Sequence, residues 1–117
     1  MARNDYPEGA VNNARRVLKY VDKNGWGSCG TDVGKQRASQ IASRENLSDE
    51  TIKRTFSYLS RAAEHADVPY SEGCGGLMYD AWGGKAMLRW SAARVDEMNE
   101  RNMDGAVRRV LRSMTRE

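Results

Sequence analysis

The stretch VGKQRASQIASRENLSDETIKRTFSYL, residues 33–59, decides how this chain folds. Val33, Ala38, Ile41 and Ala42 fall on one helical stripe and Ile52, Phe56, Leu59 and Ala63 on a second, so the spacing predicts two helices turned inward. Thr31 or Asp32 can cap the first, Asn46 can take the left-handed conformation that closes it, Leu47 can fold back onto the pair, and Ser48 can cap the second. Asp49 and Glu50 occupy the first turn of the second helix, where the helix dipole favours negative charge.

The same periodicity extends to both sides. Val11, Ala14, Val17, Leu18 and Val21 share a stripe opposite Arg15, Lys19 and Lys23, which predicts a helix from Glu8 to Asn24 ended by Gly25. "GWGSCG" is then a glycine-rich link whose Trp26 turns back onto the core, and Asp67 to Gly76, with Pro69 and three glycines, is the longest loop. Leu77, Met78, Ala81 and Trp82 open a fourth helical segment that Met87, Trp90, Arg94 and Met98 continue. Gly83 and Gly84 interrupt it, each costing about 1 kcal/mol against alanine in a helix interior. If the helix runs through them, Trp82 and Trp90 share a face as core anchors; the alternative is an exposed indole that anchors a partner.

Beyond a polar joint at Asn99 to Asn102 lies a two-faced helix. Met103, Val107, Val110, Leu111 and Met114 form its apolar side, and Arg108, Arg112 and Arg116 the row opposite. A helix of about four turns is marginal alone in water, so this face is expected either to pack on its own domain or to dock on a second copy or another protein. No segment alternates as a strand does. The expectation is an all-α bundle of about five helices, with one helical domain over residues 1–100 and the amphipathic helix over 101–117.

Composition narrows the function classes. At 117 residues the chain suits one core, and a mean hydropathy of −0.79 suits a helical protein with a wide polar surface. No apolar run approaches a membrane span, and "MARNDYPEG" lacks the apolar core of a secretory signal, so a reducing cellular compartment is expected. Cys29 and Cys74 lie far apart without the paired spacing of a zinc module, so they are read as free thiols. The formal charge is +3, but it is polarised: Arg101 to Glu117 holds five arginines against two acids, while Asp67 to Glu100 holds six acids against three bases. Arginine outnumbers lysine 14 to 5, which favours bidentate contact with phosphates or carboxylates.

Several chemistries fail on spacing. "GWGSCG" spells a dinucleotide fingerprint but follows no strand, and "GTDVGKQ" has too few residues between Gly30 and Gly34 for a phosphate loop and puts Gln36 where magnesium needs Ser or Thr. The sole histidine, His65, sits at a helix end, where it serves as a cation or cap; a catalytic base would need a nucleophile and an orienting group that no motif supplies. No catalytic residue, cofactor or metal site is therefore expected.

Two resemblances remain. Ile41, Ala42, Asn46, Leu47, Ser48 and Ile52 fit the grammar of helix-turn-helix DNA readers, leaving Thr51, Lys53, Arg54 and Ser57 for groove contacts. Asp49 and Glu50 at the start of the would-be recognition helix repel phosphates, and Thr55 stands where a third inward hydrophobe is usual, leaving Phe56 to pack. The longer series "VGKQRASQIA", "LSDETIKRTFSYLSR" and "AWGGKAMLRW" resembles a small helical module associated with head-morphogenesis proteins of tailed bacteriophages. Val33, Gly34, Arg37, Ala38, Leu47, Ser48, Glu50, Thr51, Ile52, Arg54, Ser57, Tyr58, Leu59, Arg61, Trp82, Gly83, Gly84 and Trp90 carry it. Thr55 replaces the pattern's Met and Ala62 its His.

What the longer resemblance implies is a phage origin and a location in the virion head or the host bacterial cytoplasm. The expected function is that of a non-enzymatic structural or binding protein attached to the capsid or another head protein, or to itself, with no membrane role and with nucleic acid as a further partner. The alternatives are a helix-turn-helix regulator acting through Thr51, Lys53, Arg54 and Ser57, and an inhibitor of a host defence complex. In the reading as a structural or binding protein, Met103, Val107, Arg108, Val110, Leu111, Arg112, Met114 and Arg116 are the docking residues.

Overall fold

The computed structural model describes residues 2–102, with side chains through residue 100; the C-terminal docking face from Met103 to Arg116 lies outside them. Five α-helices follow in order: α1 Glu8–Asn24, α2 Asp32–Ala42, α3 Asp49–Ala62, α4 Gly75–Ala81 and α5 Gly84–Asn102, with a 3₁₀ turn at Ala63–His65 after α3. Among the described residues the only extended pairing is a single antiparallel bridge between Arg3 and Leu47. The protein is all-α, as the periodicity predicted.

Helix boundaries follow from local chemistry. The Thr31 hydroxyl accepts from the Gly34 N–H at 3.0 Å and the Ser48 hydroxyl from the Thr51 N–H at 3.2 Å, each satisfying a donor that the first turn leaves open. Such caps contribute about 1 kcal/mol each. Gly25 ends α1 at φ 76°, its N–H donating to the Val21 carbonyl at 2.7 Å.

α1 is the central element. Ala10, Val11, Ala14 and Val17 are buried along it, and α2, α4 and α5 all pack on that helix. α3 lies instead against α5. The consecutive helices α2 and α3 thus find their main partners elsewhere, and the segment that resembles a helix-turn-helix is held together through α1 and α5. Leu47 is buried, as expected, and its backbone pairs with Arg3 on both sides, Arg3 N–H to Leu47 carbonyl at 2.9 Å and the reverse at 2.7 Å. This pairing seats Tyr6, which is 1% exposed and donates its hydroxyl to the Glu45 carbonyl at 2.8 Å.

Six expectations are corrected. Arg44, not Asn46, takes the left-handed conformation after α2, with φ 53°. Its guanidinium donates to the Tyr6 carbonyl at 2.6 Å and to Glu8 at 2.8 Å, tertiary bonds that hold the strained residue in place. Val33 is 44% exposed, because Gly34 faces inward at that point of α2. Thr55 is fully buried while Phe56 is half-buried and Ala63 exposed; the Thr55 hydroxyl donates to the Thr51 carbonyl at 2.8 Å, so its polar group enters the core satisfied. The helix does not run through Gly83-Gly84. Both adopt positive φ, 105° and 65°, and make a corner between α4 and α5. A β-carbon at Gly83 would lie 2.4 Å from the Met87 β-carbon, and the Asn13 amide donates to the Gly83 carbonyl at 2.9 Å. Trp82, just past the end of α4, and Trp90 of α5 therefore pack separately, Trp82 on Tyr58 and Trp90 on Tyr6. Finally, Cys29 and Cys74 are joined in a disulfide with their Cα atoms 5.2 Å apart. They lie 45 residues apart in sequence, and the packing of α4 on α1 brings their two glycine-rich loops together. The polar joint expected at residues 99–102 is itself helical, within α5.

Candidate functional site

The outer side of α3 and the end of α4 form the candidate site. Helical spacing puts Glu50, Lys53, Arg54, Ser57, Tyr58 and Arg61 on one side of α3, and Trp82, just past the last residue of α4, closes a cleft of about 340 Å³ beside them. The Tyr58 and Trp82 rings stack at 4.4 Å with 15° between their planes. Trp82 is buried and Tyr58 half-buried, so Tyr58 supplies most of the aromatic surface that the cleft exposes, and burial pushes the Tyr58 hydroxyl's pKa up.

Electrostatics set the character of the cleft. Three cations line it against one carboxylate, and Glu50 already pairs with Arg54 at 3.2 Å. Arg37 of α2 stands beside the same indole, its guanidinium carbon 5.2 Å from the Trp82 ring centre. It is 6% exposed and donates to the Gln40 side chain, but its Nε and the Trp82 Nε1 are both buried without a hydrogen-bond partner. No carboxylate among the described residues forms an ion pair with Arg37; burial, and then the nearby Arg54, pull its pKa down. A buried guanidinium without a counter-ion adds positive potential to this side of the molecule. Gly34 packs closely here: a β-carbon there would lie 2.5 Å from the Met78 methyl, which would have to shift.

The sequence-based DNA set is thus divided. Lys53, Arg54 and Ser57 come together in the cleft, whereas Thr51 is taken up by the cap, its hydroxyl 3.0 Å from that of Ser48. Tyr58 and Arg61 were within reach of sequence reasoning, being one turn on from Arg54 and Ser57. Arg37 and Trp82 were not, because only tertiary packing brings α2 and α4 to this face. The three segments that carry the phage resemblance meet at one indole: Gly34 and Arg37 from the first, Tyr58 from the second, Trp82 from the third.

Two other clefts are less suited to a ligand. One of about 470 Å³ runs beside Trp90, whose ring lies within 5.9 Å of Arg3 and 5.5 Å of Arg94, but Arg3 and Arg94 are both paired with Glu97. The other, about 510 Å³, is lined in part by Asn13, Asp67, Tyr79, Asp80 and Lys85. Asp80 accepts from the Tyr70 hydroxyl and lies 3.6 Å from Arg16; burial nonetheless raises its carboxyl pKa, and raises that of Tyr70 as well. His65 is exposed and faces Glu64 at 3.2 Å. Among the described residues no three His, Cys, Asp or Glu side chains gather as metal ligands, and no helix is long and apolar enough to cross a membrane. No protein-family model, curated protein or solved structure matches this chain.

Proposed function

We propose that this chain is a non-enzymatic binding module of a tailed-phage head and that its working face is the cleft between α3 and Trp82. The observation that carries the reading is the meeting of the three resemblance segments around Trp82, beside an open surface with three cations and one already-paired carboxylate. A cleft of this kind has the features of a recognition site: a rigid aromatic wall for contact area and arginines for directional polar contacts.

The test is to tag the full chain, purify phage heads and ask whether it stays with them. The wild type is expected to remain, and the double variant Lys53→Glu/Arg61→Glu to be lost from heads while keeping its melting temperature, since both side chains are exposed. Absence of the wild type from heads would refute the head assignment, and retention of the double variant would refute the cleft as the working face.

The second reading, a regulator that grips duplex DNA with α3, is favoured by the position of Lys53, Arg54 and Ser57 on one open side. Asp49 and Glu50 at the N-terminal turn oppose it, because that turn is where a recognition helix meets base edges and phosphates.

A further inference from the structure

We infer that the α3 cleft binds single-stranded nucleic acid, with a base laid against Tyr58 and phosphates held by Lys53, Arg54 and Arg61. The inference rests on the binding reading above and names the partner of that same site. Strands without fixed sequence are held by a groove that joins aromatic faces to a line of positive charge, and this cleft has both. Lys53 and Arg61 are eight residues apart on α3, so their backbone positions are about 12 Å apart along the helix axis, with Arg54 between them. Cations spread over that length suit successive phosphates of an extended strand better than one compact anion.

The charge balance points the same way. An acidic protein surface could also meet three cations, but a base brings in addition a flat face for the half-buried Tyr58 ring, which is stacked on Trp82 on its inner side. Arg37, buried against the Trp82 ring without a carboxylate partner, adds positive potential to this side of the molecule. Duplex DNA fits less well: its bases are already stacked and cannot reach an aromatic wall, and its approach to the N-terminal turn of α3 is opposed by Asp49 and Glu50.

The experiment is a fluorescence-anisotropy titration of the full chain against a labelled single-stranded thymidine 15-mer and against the same strand annealed to its complement, at several salt concentrations. The single strand is expected to bind more tightly than the duplex. Three phosphate contacts give a slope of log K on log salt of about −2, since each contributes about −0.7 on a single strand. Lys53→Gln and Arg61→Gln should each flatten that slope by about 0.7. Tyr58→Leu should weaken binding about tenfold with the slope unchanged, whereas Tyr58→Phe, which keeps the ring, should bind as the wild type does. Three results would overturn the inference: no binding of the strand at low salt, equal or tighter binding of the duplex, or a slope untouched by the Lys53 and Arg61 variants. Competition by free thymidine mononucleotide at equal nucleotide concentration would also overturn it, by showing a site for one nucleotide rather than a strand. If the strand fails to bind but the chain still stays on heads in a Lys53- and Arg61-dependent manner, the strand falls and the binding reading stands; failure of both removes both.

Discussion

Breaking the bridge between Cys29 and Cys74 should destabilise the protein without dismantling its fold. The two cysteines enclose a loop spanning 45 positions. Constraining a loop of that length in the unfolded chain removes entropy worth about 4 kcal/mol at 25 °C in the loop-closure treatment. For a domain of this size, that corresponds to a loss on the order of 15–20 °C in melting temperature. The folded state itself should change little, because the contacts that bring the two loops together are those of α4 on α1, and these do not depend on the sulfurs. The assay is thermal unfolding followed by circular dichroism on the air-oxidised protein, the reduced protein and the Cys29→Ser/Cys74→Ser variant. The three should have the same helical signal at low temperature, and the last two should melt together well below the first. Alkylation of both thiols in the native oxidised protein would show that no bridge forms. Melting of all three within about 3 °C of one another would refute the entropic argument, since even half the expected stabilisation exceeds that shift.

Two further perturbations test the core and its charge. Gly83→Ala forces a β-carbon to within 2.4 Å of the Met87 β-carbon at a backbone φ of 105°, so it should cost more than the roughly 1–3 kcal/mol of strain alone; Gly27→Ala, at φ 58° with nothing within 4 Å, should cost only that strain, and equal urea midpoints for the two variants would refute the close-approach reading. Asp80 has its pKa raised by burial above the ordinary 3.8, so the folded state holds this proton more tightly than the unfolded chain does, and the group's contribution to stability falls as pH climbs from the ordinary carboxylate range through the raised value. Asp80→Asn removes that dependence: relative to the wild type it should gain stability over this window and level off above it, and a wild-type advantage that grows with pH, measured by melting at stepped pH, would show the ion pair with Arg16 outweighing burial.

Local chemistry was legible in the sequence where the deciding interactions are local. The extent of α1, the caps at Thr31 and Ser48, the burial of Ile41, Leu47, Ile52 and Leu59 and the all-helical class follow from side-chain spacing and turn chemistry, which act within a few residues. What only the tertiary structure decided involves partners far away along the chain. Arg44 could take the left-handed turn because Tyr6 and Glu8 hold its guanidinium, and Thr55 could be buried because a carbonyl one turn back accepts its hydroxyl. The two glycines became a corner because Asn13 and Met87 crowd them. The disulfide required two loops, 45 positions apart, to meet. The cleft divides in the same way. Lys53, Arg54 and Ser57 share one side of a single helix, which helical periodicity reveals, whereas Arg37 and Trp82 arrive from α2 and the end of α4. Their place beside Tyr58 is a product of packing between elements, and no spacing within one element encodes it.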